Sequence, residues 1–248
     1  MLGAWIRLSE GLVLVPLLLA VEIPVSKLVA THIALGTSLI VIAVISWLRV
    51  YRAARDSQIV IRAAVPAVSA GVITAVGGGL LAGTLEGKTL QQTFGVAAAF
   101  AAVRLLGEMR KPKGELKMES DVPGLVSTGL IAGAFSPMTG ISASLVAVPI
   151  LYTLRRVPLM KAIGSSETIA AVVATVSAAV YVLVGRTNPF LPDGSLGYVD
   201  GVYGLCLLAG LIPGGLLGMR LTSRTPSPAG RKFLALLILI VAAWMFFR

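Results

Sequence analysis

Hydroxyl-bearing residues interrupt a long apolar stretch in the middle of this chain. The interruption, residues 136–142, lies between two apolar runs, residues 122–135 and 143–154. Each run alone is too short to cross a bilayer, because a hydrocarbon core of about 30 Å needs roughly 20 apolar residues of helix. The pattern predicts a broken or re-entrant helix, and the alternative is a loop between two ordinary short helices. Irregular backbone at membrane depth persists only where protein or a water-filled cavity satisfies its amides, so this break is a candidate substrate site.

The chemistry of the break favours a small anion. A helix that begins near residues 139–142 presents free backbone amides and the positive end of its dipole, and hydroxyls beside it can donate hydrogen bonds. Such a helix end binds small anions without a full positive charge. The predicted substrate contacts here are Ser136, Thr139, Gly140, Ser142 and Ser144. The alternative is that Ser136 and Thr139 only cap helix ends.

Two further polar sets follow Pro24 and Pro158 by seven residues, which is about 10 Å along a helix. The sets are Thr31 with His32 in the first half, and Ser165, Ser166 and Glu167 in the second. Because they lie at matching depths, both are predicted to face one cavity with the break. The further predicted substrate contacts are Thr31, His32, Ser165 and Ser166.

Glu167 and His32 are also candidates for proton coupling. Ionisable groups inside a membrane are expensive to bury and face the bundle interior or water when they occur. A histidine titrates near neutral pH, and burial raises the pKa of a carboxylate toward that range. The alternatives are a hydrogen-bonded packing role for His32, and for Glu167 an ion pair with Lys161 or a nearby arginine.

The composition identifies an integral membrane protein. Hydrophobic residues make up 56% of the chain and charged residues 13%, and the mean hydropathy is +0.92, far from the values of soluble domains. Apolar runs long enough to span lie at 24–48, 60–84, 89–107, 158–184, 199–221 and 231–247, beside a short run at 11–22. Catalytic, metal and cofactor signatures are missing from the sequence, so neither an enzyme nor a metal or cofactor protein is expected. The prediction is an all-α polytopic membrane protein.

The basic residues predict the topology. The net charge of +10 comes from short clusters between the apolar runs, without the basic and aromatic stripe of a nucleic-acid binder. If 122–154 enters and leaves on one side, 16 Lys and Arg lie inside and five outside; if it crosses once, the numbers become 11 and 10. The positive-inside rule favours the re-entrant hairpin. The predicted cytoplasmic loops are 49–62, 104–121, 155–161 and 220–232.

The two halves of the chain repeat each other. Leu12-Val13-x-Val15-Pro16-x-Leu18 recurs at 145–151, and Gly71, Ala75 and Gly79 recur as Gly210, Gly214 and Gly218. Small residues four apart form a smooth ridge that a neighbouring backbone can approach. Three full spans per half make the halves antiparallel, which predicts two inverted-topology repeats, each with a re-entrant or broken element, the first one truncated. The predicted boundaries are a repeat at 1–110, a cytoplasmic linker at 111–121 and a repeat at 122–248.

These residues resemble a known family. Gly129-x-x-x-Gly133-x-x-Ser136-x-x-x-Gly140 with the following Ile141-Ser142-Ala143-Ser144-Leu145-Val146-x-Val148-Pro149, then Lys161-Ala162-x-Gly164-Ser165-Ser166, is similar to the second-repeat signature of the sulfite exporter TauE/SafE family. The segment 210–220 resembles the family's glycine-rich segment, and the first half fits as well. The resemblance implies an inner-membrane carrier of sulfite, sulfonates and related sulfur oxyanions. The chain departs from the family at Ile141-Ser142-Ala143-Ser144, where glycines are usual, and in the missing start of the first hairpin.

The expected function is therefore secondary transport of a small sulfur oxyanion, sulfite or an organosulfonate, out of the cell. An inside-negative potential drives anions outward with about 2.3 kcal/mol per charge per 100 mV. The alternatives are a passive anion channel and a non-transporting membrane scaffold. The expected partners are the substrate anion and the lipid bilayer, without nucleic acid, and the sequence leaves open whether the protein is a homo-oligomer.

Overall fold

The computed structural model describes residues 10–21, 27–107, 122–192, 194–221 and 228–247. Apolar runs fold as helices in a membrane because only intra-segment hydrogen bonds can satisfy the backbone there. The helices are α1 Glu10–Ala20, α2 Lys27–Arg55, α3 Ile61–Thr84, α4 Gly87–Leu106, α5 Val122–Thr139, α6 Ser144–Pro149, α7 Leu159–Gly185, α8 Gly201–Leu221 and α9 Pro228–Phe247. A π-helical turn, Ile150–Leu154, continues α6. Two short antiparallel strands, β1 Ser195–Leu196 and β2 Val199–Asp200, form a β-ribbon between α7 and α8.

The predicted all-α membrane architecture is confirmed at the level of its helices. Within the described residues, three helices are long and apolar enough to cross a membrane: Val29–Arg55, Ile61–Thr84 and Leu159–Gly185. The runs predicted at 89–107, 199–221 and 231–247 correspond to helices α4, α8 and α9, although residues 199 and 200 belong to β2. The predicted linker 111–121 lies outside the described residues.

The glycine ridge of α3 packs on two neighbours at once. A Cβ on Gly79 would lie 2.8 Å from Val180 of α7, and a Cβ on Gly71 would lie 3.1 Å from Val173. The same helix meets α5 backbone to backbone, since a Cβ on Gly129 would collide with the backbone of Ala67. Residue numbers rise together along all three helices, so α3, α5 and α7 run parallel. The close approach predicted for the first small-residue ridge is confirmed.

The corresponding ridge on α8 differs. No atom of the described chain lies within 4 Å of a Cβ built on Gly210 or Gly214. The described chain places no helix beside α8 in the position that α5 takes beside α3. Gly210 and Gly214 therefore differ from Gly71 and Gly79 of the corresponding ridge in the first half, which are in contact with α7.

Residues 122–154 form a hairpin, defined here as α5, the break at 140–143, and α6 with its π-helical turn. Its two ends meet, because the guanidinium of Arg155 lies against the Cα of Gly124. The break is shorter than predicted: residues 136–139 belong to the last turn of α5, which the amide of Gly140 closes on the carbonyl of Ser136 at 2.8 Å. Pro137 is tolerated there since its ring packs on Gly78 of α3.

Helices α2 and α7 pack antiparallel along their length. Gly164 near the start of α7 lies against Gln58, which follows the end of α2, and Gly36 in the first half of α2 lies against Tyr198 of the β-ribbon. Residues 49–62 and 155–161 therefore share one end of the bundle with the open end of the hairpin. The β-ribbon lies at the other end.

Candidate functional site

The tip of the hairpin is buried against the first half of the chain. Gly140 has φ +64°, and a Cβ there would lie 2.7 to 2.9 Å from atoms of Val15, Leu35 and Ser38. The Ser38 hydroxyl lies 3.2 Å from the Gly140 carbonyl and 2.8 Å from the Leu35 carbonyl, and donates to them. Glycine is needed here because the backbone is left-handed and because there is no space for a side chain. The tip thus sits between α1 and α2, deep in the bundle.

A tyrosine from α7 satisfies a carbonyl at the tip. The hydroxyl of Tyr181 donates to the carbonyl of Pro137 at 2.8 Å, and its ring packs edge-on against Tyr198 at 6.3 Å between centroids. Where a helix ends inside a membrane, its last carbonyls need such partners. Tyr181 holds the end of α5 to α7.

Removing that hydroxyl tests its role. We expect Tyr181→Phe to lower the free energy of unfolding by about 1 kcal/mol or more, because the buried Pro137 carbonyl loses its donor. Thermal denaturation in detergent measures the change. Tyr203→Phe on α8 is the matched control and should leave the midpoint unchanged; equal midpoints for both variants would contradict the role of the bond.

The hydroxyls of Thr139, Ser142 and Ser144 form hydrogen bonds with nearby groups in or beside the break. The Thr139 hydroxyl donates to the carbonyl of Phe135 at 2.8 Å and accepts from the Ile141 amide at 3.3 Å. The Ser142 and Ser144 hydroxyls lie 2.9 Å apart. The new helix begins at Ser144, later than the predicted start at 139–142, because the turn through Ser142 and Ala143 takes up the following amides. Thr139 thus has the capping contact that was the alternative prediction.

Three buried serine hydroxyls in the described residues have no hydrogen-bond partner: Ser136, Ser166 and Ser177. Other helical hydroxyls donate to the carbonyl four residues earlier, as in Thr128 at 2.8 Å and Thr175 at 2.7 Å. Buried polar groups are nearly always paired, and an unpaired one destabilises by about 1 to 3 kcal/mol. Within the described residues, these three hydroxyls therefore have hydrogen-bonding capacity that no protein group uses.

The remaining predicted contacts lie away from the tip. Ser165 accepts a hydrogen bond from the Val60 amide at 2.9 Å, at the turn between α2 and α3. It precedes Tyr181 by 16 residues, which is about 24 Å along α7. Thr31, its counterpart, accepts from the side chain of Gln91 on α4 at 2.8 Å. The structure does not bring Ser165 to the break, and both hydroxyls tie neighbouring elements together.

His32 and Glu167 both have defined neighbours. His32 stacks on Tyr198 with 4.9 Å between ring centroids, and its Nε2 lies 3.2 Å from the Ala82 carbonyl. Glu167 is buried and its Oε1 lies 3.6 Å from Nη1 of Arg49. The pairing alternative for Glu167 is thus present, with an arginine from α2 and not Lys161. Arg49, the first residue of the predicted cytoplasmic loop 49–62, therefore also forms an ion pair inside the bundle.

Sequence reasoning missed four residues around the tip and the ion pair: Ser38, Arg49, Ser177 and Tyr181. Ser177 and Tyr181 share a face of α7, being four residues apart, but nothing in the sequence says that Tyr181 meets α5. Ser38 carries no motif. Only the packing of α2 and α7 against the hairpin reveals them.

Comparison with known proteins agrees with this architecture. The family model for the sulfite exporter TauE/SafE matches residues 8–245. A "Probable membrane transporter protein" of Haemophilus influenzae is 28% identical over 248 residues, covering 97% of this chain and 91% of the relative. No solved structure matches the chain. The chain is a polytopic helical protein, and the family model matches nearly its whole length. It therefore belongs to the sulfite exporter TauE/SafE family of membrane transporters.

Proposed function

We propose that the protein is a secondary carrier that moves small sulfur oxyanions, sulfite or organosulfonates, out of the cell across the inner membrane. The observation that carries the proposal is Ser136, a fully buried, unpartnered hydroxyl in the last turn of α5, beside a break in the helix. A hydroxyl donor that has no acceptor at membrane depth favours binding of a ligand that supplies acceptor atoms. The family of the chain supports a sulfur oxyanion as that ligand.

The proposed topology is an inverted pair of repeats. Residues 1–110 and 122–248 form the repeats, joined by a cytoplasmic linker at 111–121. The antiparallel packing of α2 on α7 supports this plan, as does the contact of Gly140 with Val15 of α1. Residues 49–62, 104–121, 155–161 and 220–232 face the cytoplasm.

The proposed site groups the break residues with the hydroxyls of α7. Its members at the break are Ser136, Thr139, Gly140, Ser142 and Ser144, and Ser166 lines the approach from the end of α7 that holds residues 155–161. Ser165, Thr31 and His32 line its approaches, and Glu167 and His32 are candidate carriers of a coupled proton. Glu167 would act through its pair with Arg49, since a proton on the carboxylate weakens that ion pair.

Flux in proteoliposomes tests the function. With an imposed inside-negative potential we expect saturable efflux of labelled sulfite, with counterflow, at several times the rate of empty vesicles. Ser142→Leu should cut the rate by about tenfold or more, because the larger apolar side chain displaces the hydroxyl pair with Ser144 and blocks the break.

The result that would overturn the proposal is flux of sulfite and organosulfonates no faster than in empty vesicles. Large currents without counterflow would instead identify a passive channel. Ser69→Leu is the matched control, because Ser69 is an exposed serine of α3 whose hydroxyl donates to the Pro66 carbonyl at 3.0 Å. Its flux should equal that of the wild type.

A further inference from the structure

We propose that Ser177 of α7 is a substrate contact that acts with Ser136 of α5, the two hydroxyls donating to oxygens of one bound anion. The inference rests on the proposed function and deepens it, since it assigns a ligating residue outside the hairpin. The ligand class is an anion whose exposed oxygens are all acceptors, as in a deprotonated sulfur oxyanion.

The first observation is the state of the two hydroxyls. Both side chains are fully buried, and neither has a hydrogen-bond partner. On the same helix as Ser177, the Thr168 hydroxyl donates to the Gly164 carbonyl at 3.2 Å. Helix geometry thus offers a backbone acceptor, and Ser177 does not use it. A hydroxyl kept off its own helix at a buried position is available to another acceptor.

The second observation is the position of the two residues along the axes of their helices, called their level here. One turn beyond Ser177, Tyr181 donates to the carbonyl of Pro137, the residue after Ser136. Val173 lies one turn before Ser177, and a Cβ on Gly71 of α3 would lie 3.1 Å from Val173 and 3.3 Å from the Gly129 carbonyl oxygen of α5. On α7, Ser177 lies between Val173 and Tyr181, and on α5, Ser136 lies between Gly129 and Pro137. The two serines therefore lie between the same two contacts, one made directly between α5 and α7 and one made through Gly71 of α3.

Ser166, the third unpartnered hydroxyl, lies elsewhere on α7. It precedes Ser177 by 11 residues, which is about three turns and about 16 Å, and so shares its helix face but not its level. It lies toward the end of the bundle that holds residues 155–161. Ser177, and not Ser166, is thus the partner of Ser136 at the tip.

The chemistry fits an oxyanion. Hydrogen bonds from neutral hydroxyls to a charged acceptor are stronger than neutral pairs, and burial strengthens them further. Two such donors from two helices bind an anion only while α5 and α7 hold their present contact. Binding would therefore depend on the geometry of the tip.

The test compares Ser177→Ala with the wild type in the full-length protein, by sulfite flux in proteoliposomes and by the thermal shift that sulfite causes in detergent. We expect the variant to raise the half-saturating sulfite concentration by about tenfold, the usual effect of one lost hydrogen bond to a charged group. Its melting temperature without sulfite should be equal or higher, because an unpaired buried donor is removed. The matched control is Thr168→Val, whose hydroxyl already has a backbone partner, and both its readouts should equal those of the wild type.

The outcomes separate the two proposals. Wild-type flux with unchanged half-saturation in Ser177→Ala overturns the inference and leaves the proposed function standing. A lower melting temperature with unchanged half-saturation gives Ser177 a structural role and also overturns it. If the wild type binds sulfite but does not move it, loss of the thermal shift in Ser177→Ala supports the inference while the carrier proposal fails. If the wild type neither moves nor binds these anions, both fail.

Discussion

Replacing Arg49 with methionine should destabilise the protein by about 3 to 5 kcal/mol, the usual effect of removing one partner from a buried ion pair. Glu167 is only 2% exposed and Arg49 13% exposed, so water cannot replace the guanidinium that faces the carboxylate. Methionine keeps much of the volume and removes the charge. Thermal denaturation in detergent, or unfolding in mixed micelles, measures the loss.

The double variant Arg49→Met with Glu167→Leu shows whether the pair is the cause. Replacing both partners with apolar residues leaves no unpaired charge, so we expect most of the stability to return. Arg52→Met is the matched control: the same helix carries this arginine on its exposed side, and its loss should change stability by less than about 0.5 kcal/mol. Equal stabilities for Arg49→Met and Arg52→Met would contradict a stabilising role for the ion pair.

Replacing Gly129 with valine should prevent correct packing of the hairpin, a second large effect. The new Cβ would occupy the position of the Ala67 backbone, and backbone cannot move aside as a flexible side chain can. Overpacking commonly destabilises by about 1 to 3 kcal/mol, and a collision with a neighbouring helix lies at or above the upper end. We expect little folded protein in size-exclusion chromatography and a lower melting temperature in what remains.

The control for this prediction lies on the facing helix. A Cβ added to Gly77 of α3 would have no atom of the described chain within 4 Å, so Gly77→Val should give normal yields. A valine tolerated equally at 129 and 77 would mean that α3 and α5 do not touch through their backbones.

Sequence patterns predicted the helices, the hairpin and the glycine contact of α3, because hydropathy, charge and small-residue spacing are local signals. They could not predict which residues meet across the bundle. Glu167 lies 118 residues from Arg49 in the sequence, and several basic residues were equally plausible partners. Likewise, the extension of α5 through Pro137 depends on the space that Gly78 of another helix provides.

The candidate site shows the same division. Ser136 could be proposed because it stands in a polar break, whereas Ser177 stands in an apolar run and becomes notable only through its missing partner. Ser165 followed the repeat pattern, yet its hydroxyl holds the turn at Val60. A repeat shows which positions correspond; it does not show which of them face a common space.

The backbone contact between α3 and α5 limits how the two halves of the chain can move relative to each other. A Cβ on Gly129 or Gly133 would collide with the backbone of α3, so the two helices are in direct backbone contact at these positions. Yet α3 belongs to the first sequence half and α5 to the second. If the two halves moved apart as rigid units, this contact between α3 and α5 would break and would have to form again each time. Any movement of the hairpin relative to the rest of the bundle therefore has to carry α3 with it, so the line of division between moving parts does not follow the division of the sequence into halves.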